Sequence, residues 1–390
     1  MRKIVYVTGT RSDFGVMKDV LKEINAHPEL SLSLIVTGMH LLDEFGYTIT
    51  DIRKDSYEIV AEIPMDPSSG NRGAMARELG RAIIEITSIL ERIKPDIVLI
   101  QGDRGESLAG AIAGAYLGIP VAHVSGGDVT EGGMIDDSIR HCITKLAQLH
   151  FPGTPESAVR IKCMGENPSF VHMFGTPSLL SATDISEADA RRVLDAFQID
   201  PSRPLLLVLQ HPVTYEREDA RTQMQETMDA IMSLKEQTII IYPNSDAGGQ
   251  DMIDVIKTYE NVPFIRTTQN LPYNDFIALL SRATALIGNS SAGIVRTASL
   301  GVPCINIGTR QKNREQAGNV IDIGYNSQEI VKAIKQILSD PTIKNTILSR
   351  NNPYKNQNTG KRIADVLATT DLSKDLMIKK FHMPRQDHFG

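Results

Sequence analysis

Residues 101–145 read QGDRGESLAGAIAGAYLGIPVAHVSGGDVTEGGMIDDSIRHCITK, and this stretch gathers charged residues where strands are predicted to end. Apolar runs at 97–100 and 119–124 come directly before its first two acidic clusters, at Asp103 and Asp128. Short β-rich runs that alternate with helical patterns predict a parallel sheet covered by helices. Parallel sheets bind ligands just beyond the carboxyl ends of their strands, so we expect the two aspartates to share one crevice.

A third acidic cluster opens the segment that begins at Ile135. Apolar residues recur there with the spacing of an amphipathic helix, and Asp136 suits the helix N-cap. Asp137 and His141 lie one turn apart on the predicted helix. We therefore expect the start of this helix to point its acids into the same crevice.

Length and composition narrow the class of protein. A chain of 390 residues exceeds what one core usually supports, which predicts two domains. The net charge of -6 argues against a nucleic-acid partner, and no apolar run reaches the roughly 18 residues of a membrane-spanning helix. Three widely spaced cysteines offer neither a paired framework nor a CxxC metal site, so a cytoplasmic location is expected; they are Cys142, Cys163 and Cys304.

The chain begins with a predicted strand at 4–7, a glycine-bearing loop at 8–15 and a helical pattern at 16–25. Loop amides and a helix N-terminus favour anions, so this loop, with Arg11 and Gly15, is a candidate phosphate or sugar cradle. It lacks both GxGxxG and a Walker lysine, and by itself it is equally typical of an ordinary turn. The remaining elements predicted before the central stretch are strands at 32–36 and 57–63, a crevice loop at 65–73 and a helix at 74–93.

The strand and helix alternation runs out near residue 177 and restarts at the apolar run 205–209 after a polar helix at 186–197. We predict an α/β fold of two doubly wound, Rossmann-like domains that face a central cleft. The predicted divisions are 1–177, 178–365 and a tail at 366–390 that packs back towards the first domain. The other elements predicted in the second half are strands at 238–242, 262–265, 285–287 and 304–307 and a helix at 361–368.

The sequence GNSSAG at 288–293 precedes a helical pattern at 294–300, so its hydroxyls and amides could hold a diphosphate at a helix N-terminus. The alternative is that Ser290 merely caps a structural helix. Arg310, at the end of the next strand, favours phosphate binding because it supplies a planar charge. His211 also ends a strand, where a histidine is often only a hydrogen-bonded loop residue.

Several carboxylates around one crevice raise each other's pKa and supply both a general acid and a general base. They could instead hold a metal, as hard oxygen ligands do. Arg104 and Arg140 lie among them and favour a self-neutralised network, so no metal site is predicted. His123, at the end of a buried strand, is expected to orient the loop.

Six motifs in chain order resemble one known family, the hydrolysing UDP-N-acetylglucosamine 2-epimerases of sialic-acid-type biosynthesis. The resemblance extends from the first strand to about residue 325. Each motif is weak by itself, but the ordered set is specific. The motifs are GDR at 102–104, GGD at 126–128, IDDSIRH at 135–141 with ITK at 143–145, QHP at 210–212, NSS at 289–291 and GTRQ at 308–311.

The resemblance implies a fold of the glycosyltransferase B type, a homodimer and no cofactor. It also implies a reaction that removes the C2 proton, expels UDP to give a 2-acetamidoglucal, and adds water to yield N-acetylmannosamine. The same chemistry on UDP-2,4-diacetamido-2,4,6-trideoxyglucose, of the legionaminic-acid-type pathway, is the first alternative. A UDP-sugar glycosyltransferase and a nucleotide-sugar sensor are the others.

The resemblance also assigns roles to residues by position. An acid–base set without individual roles is implied for Asp103, Asp128 and Asp136, with Glu131 in reserve, and His211 would touch phosphate or shuttle a proton. Two positions depart from relatives: Ser125, where some carry glutamate or histidine, and Arg296, where a glutamate usually meets the ribose. The UDP-sugar would be bound by Arg11, Gly15, Arg104, His211, Asn244, Asp246, Ser290, Ser291, Gly293 and Arg310.

Overall fold

The computed structural model describes residues 1–65, 72–130, 135–177, 179, 185–340, 342–348, 352–355 and 358–383. Within these ranges, no helix has both the length and the apolar character needed to cross a membrane. The strands are β1 Arg2–Thr8, β2 Leu30–Thr37, β3 Glu58–Ile63, β4 Ile97–Gln101, β5 Val121–Val124, β6 Leu149–Phe151, β7 Leu205–Leu209, β8 Gln237–Ile241, β9 Ile265–Thr268, β10 Ala285–Gly288, β11 Cys304–Ile307 and β12 Val320–Ile323.

The helices lie between the strands and beyond the last one. They are α1 Arg11–Ala26, α2 Ile49–Lys54, α3 Arg72–Ile93, α4 Gly105–Tyr116, α5 Ile135–Leu146, α6 Pro155–Cys163, α7 Glu187–Ala196, α8 Ala220–Leu234, α9 Gly249–Lys257, α10 Tyr273–Arg282, α11 Ser291–Val295, α12 Thr297–Leu300, α13 Ser327–Leu338, α14 Ile343–Leu348, α15 Thr359–Thr369 and α16 Lys374–Met377. Short 3₁₀ helices span Gly38–Leu41, Asp43–Phe45, Pro168–Phe170 and Thr214–Asp219.

Two parallel six-stranded sheets form the framework, in the orders β3-β2-β1-β4-β5-β6 and β12-β11-β10-β7-β8-β9. Each order reverses beside its first strand, β1 or β7, as in doubly wound nucleotide-binding folds. The predicted α/β class with two doubly wound halves is therefore confirmed. The loops that leave β1, β4 and β5 face those that leave β7, β8 and β10 across a cleft.

Two edge strands were not predicted from the sequence patterns. β6 has three residues with a histidine at its centre, and β12 carries an aspartate. An edge strand has only one neighbour, so it tolerates polar residues and short lengths that hide its periodicity. The strands predicted in the middle of each sheet are almost fully buried apolar runs, such as β7.

The first helix begins at Arg11, five residues before the predicted start at 16. Thr10 accepts a hydrogen bond from the backbone of Asp13, and the Asp13 carboxylate accepts one from the backbone of Thr10. This reciprocal capping box satisfies amides that the loop would otherwise leave open. Arg11 and Gly15 therefore belong to the first turns of α1 and not to a loop.

The C-terminal helix α15 returns to the N-terminal half. Its buried residues Ile363 and Leu367 join the core formed by β1, β2 and α1, and Leu376 of α16 joins the same core. The predicted division at residue 365 falls inside α15. The domain limits at 177 and 365 remain predictions, whereas the packing of this helix is an observation.

Candidate functional site

A cavity of about 300 Å³ lies between the carboxyl ends of the two sheets. The N-terminal half contributes its acids, and the C-terminal half contributes hydroxyls, amides and arginines. Glu131 lies outside the described residues, as does most of the predicted crevice loop at 65–73. The predicted site residues that line the cavity are Arg11, Asp103, Arg104, Asp128, Asp136, His211, Asn244, Ser290, Ser291 and Arg310.

Arg140 organises the acids at one end of the cavity. Its guanidinium, only 2 % exposed, donates hydrogen bonds to the Asp103 carboxylate, to Asp137 at 2.6 Å and to the backbone carbonyl of Asp128 at 3.0 Å. Burial opposes ionisation of Asp103, but the charge and hydrogen bond of Arg140, helped by Arg314, outweigh it and hold the pKa below its usual value. Asp103 is therefore ionised at neutral pH.

The pKa of Asp136 is shifted in the opposite direction, upward. It is the second residue of α5 and not its N-cap, so its side chain projects from the first turn into the cavity. Burial, followed by the negative charges of Asp103 and Asp246, raises its pKa to about 7 against the pull of Arg104 and Arg310. One carboxylate that stays ionised thus influences another that titrates near neutrality, as acid–base chemistry requires.

Asp128 is fixed on both oxygens. Oδ1 accepts from the Ser157 hydroxyl at 2.7 Å, and Oδ2 accepts from Arg314 Nη2 at 2.5 Å. Arg314 lines the cavity and comes from the loop after β11, so this pair joins the two halves. Sequence reasoning missed Arg314; the only signal was a second arginine four residues after the strand-end Arg310.

His211 is held as a neutral hydrogen-bond donor. Its Nδ1 accepts from the backbone N–H of Asn244 at 3.1 Å, and its backbone exchanges hydrogen bonds of 2.7 and 2.9 Å with the Asn289 side chain. Burial and the positive charge of Arg310 lower the pKa of His211 to about 3. The ring therefore carries its proton on Nε2 at neutral pH.

The NSS loop is built around Asn289. Arg310 Nη1 and Gln311 Nε2 donate to its carbonyl at 3.2 and 3.0 Å, which ties the next strand's loop to this one. Ser290 Oγ accepts from the Ala292 amide at 3.3 Å, so Ser290 is the N-cap of α11, and its binding of a diphosphate stays a prediction. The predicted helix at 294–300 is two short helices, α11 and α12, interrupted at Arg296.

Ion pairs join the two halves across the cavity. Arg104 donates to Asp246 at 2.7 Å, and Arg310 Nη2 lies 3.6 Å from Asp136 Oδ2. Arg104 and Arg310 outweigh the effect of burial on Asp246 and lower its pKa. Arg11 of α1 donates to Asn270 of the opposite half. The site is therefore shared between the halves, with charges matched across it.

Comparison with known proteins agrees with this geometry. A family model described as UDP-N-acetylglucosamine 2-epimerase matches residues 22–368. The chain belongs to this family. It is 35% identical to the hydrolysing UDP-N,N'-diacetylbacillosamine 2-epimerase of Legionella pneumophila, over 97% of this chain and 99% of the relative. It is 34% identical to the UDP-N-acetylglucosamine 2-epimerase of Neisseria meningitidis serogroup B, over 87% and 88% of the two chains.

A solved structure shows the same fold. The crystal structure of UDP-GlcNAc 2-epimerase from Neisseria meningitidis bound to UDP-GlcNAc superposes with a TM-score of 0.78 at 21% identity, covering 94% of this chain and 100% of that one. The family membership and the glycosyltransferase B type fold that the motifs implied are therefore both confirmed.

Three predicted ligand residues of this epimerase-family protein do not line the cavity. Asp246 pairs with Arg104, which does line the cavity. A Cβ atom at Gly293 would strike the Cys304 sulfur, so Gly293 serves the packing of α11 on β11. Gly15 packs against the ring of Tyr273, which does line the cavity.

Part of the cavity lining is apolar, and sequence reasoning did not identify it. Its planar and aliphatic walls suit a flat ring with polar edges, such as a nucleobase. Arg296, the residue that departs from relatives, lies over the Tyr273 ring at 5.3 Å and is 5 % exposed. The apolar lining comprises Leu209, Ile241, Leu271, Tyr273, Phe276 and Val295.

The acids of this family member are paired with arginines. Among the described residues, no group of three or more histidines, cysteines, aspartates or glutamates is arranged to hold a metal ion. His123 bonds to the Gly102 carbonyl at 2.8 Å and to the Thr144 hydroxyl at 3.2 Å. The predicted role of His123 in orienting the loop agrees with these two contacts.

Proposed function

We propose that this protein is a hydrolysing 2-epimerase that converts UDP-N-acetylglucosamine and water into N-acetylmannosamine and UDP. The observation that carries the proposal is that Asp103 and Asp136 line one cavity, where Arg140 holds the pKa of Asp103 below its usual value and burial raises that of Asp136 to about 7. Elimination across C1 and C2 needs a group that exchanges a proton near neutral pH. Asp136 meets this requirement.

Epimerisation sets a further geometric condition. The proton leaves C2 from one face of the sugar and a proton returns on the other face, so two groups must flank the ring. We assign one transfer to Asp136 and the other to Asp103 or Asp128. Arg140 and Arg314 fix the positions of these two partners, which supports their acting on a sugar held between them.

The departing diphosphate requires positive charge and donors where the C1–O bond breaks. Arg310 supplies a charge 3.6 Å from Asp136, and His211 offers its Nε2 proton from the same side. The hydroxyls of Ser290 and Ser291 line the adjoining wall. This arrangement supports binding of the diphosphate beside the carboxylates.

The test is incubation of the purified protein with UDP-N-acetylglucosamine in heavy water. We expect release of UDP, formation of N-acetylmannosamine and one deuterium at C2 by proton NMR. If no UDP is released and the C2 proton is retained, the proposal fails. If UDP-N-acetylmannosamine accumulates without free UDP, the protein is a non-hydrolysing epimerase.

One observation favours a second substrate, UDP-2,4-diacetamido-2,4,6-trideoxyglucose. The Legionella relative named for a diacetamido sugar matches this chain over almost its full length. The chemistry at C1 and C2 is the same, and only the groups at C4 and C6 differ. Comparison of kcat/KM for the two UDP-sugars decides between them.

A glycosyltransferase and a nucleotide-sugar sensor make different predictions. A transferase would release little UDP without an acceptor. A sensor would bind UDP equally well after Asp103→Asn or Asp136→Asn and would keep its physiological output. The epimerase loses turnover in both variants while retaining UDP binding.

We further propose a cytoplasmic homodimer, as the family resemblance implies. Two large apolar side chains, Ile84 of α3 and Tyr116 of α4, are 68 % and 88 % exposed on adjacent helices. These side chains make the α3–α4 face a candidate for the contact between the two subunits. Light scattering after size exclusion should give twice the 42.9 kDa of one chain.

A further inference from the structure

A buried carboxylate outside the cavity gathers three positively charged or ionisable groups. Glu166, 2 % exposed, accepts from Lys145 Nζ and from Lys379 Nζ, each at 2.6 Å, and lies 3.2 Å from His150 Nε2. Burial opposes its ionisation, but the hydrogen bonds outweigh it and lower its pKa to about 2. Glu166 is therefore a permanent negative charge between the end of α5 and the C-terminal segment.

Lys379 does more than neutralise Glu166. Its Nζ also lies within hydrogen-bond distance of three backbone carbonyl oxygens at the C-terminus of α5, which share the N–H groups not used by Glu166; they are those of Thr144 at 3.3 Å, Lys145 at 2.7 Å and Ala147 at 2.5 Å. The last carbonyls of a helix have no partner within it and carry partial negative charge. The ammonium of Lys379 thus caps the C-terminus of α5.

The residues after Lys379 extend the same contact. The Phe381 ring lies so close to Gly165 that a Cβ atom there would overlap it, and Lys145 Nζ sits 5.4 Å from the centre of that ring. The backbone amide of His382 donates to the Gly165 carbonyl at 3.0 Å. Lys379, Phe381 and His382 therefore contact both the end of α5 and the turn that carries Glu166.

The N-terminal end of α5 carries Asp136 and Arg140, which belong to the proposed acid–base site. This helix of 12 residues spans about 18 Å at the ordinary helical rise, with Asp136 in its first turn and Arg140 in its second. Arg140 fixes Asp103, and Asp136 faces the cavity. A displacement of α5 along its axis would move Asp136 relative to the other half and would move Arg140 relative to Asp103.

We infer that Lys379, Phe381 and His382 form a clamp, with Lys379 as its positioning residue, that sets the axial position of α5 and hence of its acid–base turn. Lys379 is not among the described residues that line the cavity, and its contacts given above do not include a residue assigned to UDP. Its role is to hold α5 where Asp136 and Arg310 meet. This inference rests on the proposed function only for its kinetic consequence.

The kinetic test compares Lys379→Met with the adjacent Lys380→Met, which removes an equal charge from an exposed neighbour. We expect Lys379→Met to lower kcat by about tenfold, since small misplacements of catalytic groups cost up to about 100-fold in rate. KM and the dissociation constant for UDP should stay within about twofold, because none of the residues assigned to UDP belongs to α5. Lys379→Arg should recover much of kcat, and Lys380→Met should match the parent.

Hydrogen exchange supplies a readout that needs no turnover. Lys379→Met should speed exchange of the amides in the last turn of α5, while amides of α8 in the other half remain unchanged. The clamp is overturned if exchange in α5 stays at the parent rate, or if kcat is unaffected at equal folded fraction. A parent protein with no epimerase activity but with this exchange response would refute the proposed function and leave the clamp intact.

Discussion

Arg310 Nη2 lies 3.6 Å from Asp136 Oδ2, so a loop of the C-terminal sheet meets the first turn of α5 across the cavity. This contact places the candidate diphosphate charge next to the carboxylate with the raised pKa. A substrate whose C1–O bond lay between them would have its leaving group and its proton acceptor on adjacent atoms. Elimination is the reaction that such an arrangement favours.

Turnover should depend on the carboxyl group of Asp136. Asp136→Asn keeps the size of the side chain but cannot exchange a proton, so kcat should fall by about 10²–10⁴-fold, the usual contribution of a general acid or base. The dissociation constant for UDP should change little, as measured by calorimetry. Asp371→Asn, at an exposed position, is the matched control. A variant with more than half of the parent activity would remove Asp136 from the mechanism.

The same substitution should stabilise the fold at high pH. The pKa of Asp136 is raised to about 7 in the folded protein, so the folded state binds this proton more tightly than the unfolded chain does. Its contribution to stability is complete below the ordinary aspartate pKa and is lost as the pH rises through about 7. Asp136→Asn should therefore raise Tm at pH 8 and have little effect at pH 4, in calorimetric scans. An equal shift at both values would contradict the raised pKa.

Arg314 and Asp128 should be coupled energetically. Removing one partner of a buried ion pair leaves an uncompensated charge and typically costs about 3–5 kcal/mol. Arg314→Met should therefore destabilise the protein strongly in urea unfolding, and Asp128→Asn should recover part of the loss. Simple addition of the two effects would show that the 2.5 Å contact carries no stability.

His211 should contribute to UDP binding as a neutral donor. A hydrogen bond to a charged group is worth about 1.5–3 kcal/mol, so His211→Ala should weaken UDP affinity by about tenfold or more. His27→Ala, in the N-terminal half and away from the cavity, is the control. Because the pKa of His211 is about 3, nitrogen NMR at pH 7 should show one protonated ring nitrogen, Nε2. A doubly protonated ring at that pH would contradict the assignment.

Local patterns were sufficient for much of the framework. The fully buried run at β7 and the GDR and IDDSIRH motifs place charge at strand and helix ends, and the structure brings Asp103, Asp128 and Asp136 to one cavity. These features depend on neighbours within a few residues along the chain. Sequence periodicity and motif order record such neighbours directly.

Features that depend on distant partners could not be predicted. Arg314 acquires its place only because Asp128, 186 residues away, lies opposite it. In the sequence Lys379 is one charge in a polar tail. Its contact with α5 exists only because α15 packs against the core of the N-terminal half. Asp246, predicted to line the nucleotide side, forms an ion pair with Arg104 and is not among the residues that line the cavity. Pairings of this kind arise from three-dimensional packing and leave no periodic signal.

The packing of α15 on α1 means that the N-terminal half is assembled from both ends of the chain. A chimera that exchanged the C-terminal half with a relative would consequently need two junctions, one before β7 and one before α15. A single crossover would combine helix α5 of one parent with Lys379 of another. Recombination among relatives should therefore preserve activity most often when residues 359–383 travel with the first sheet.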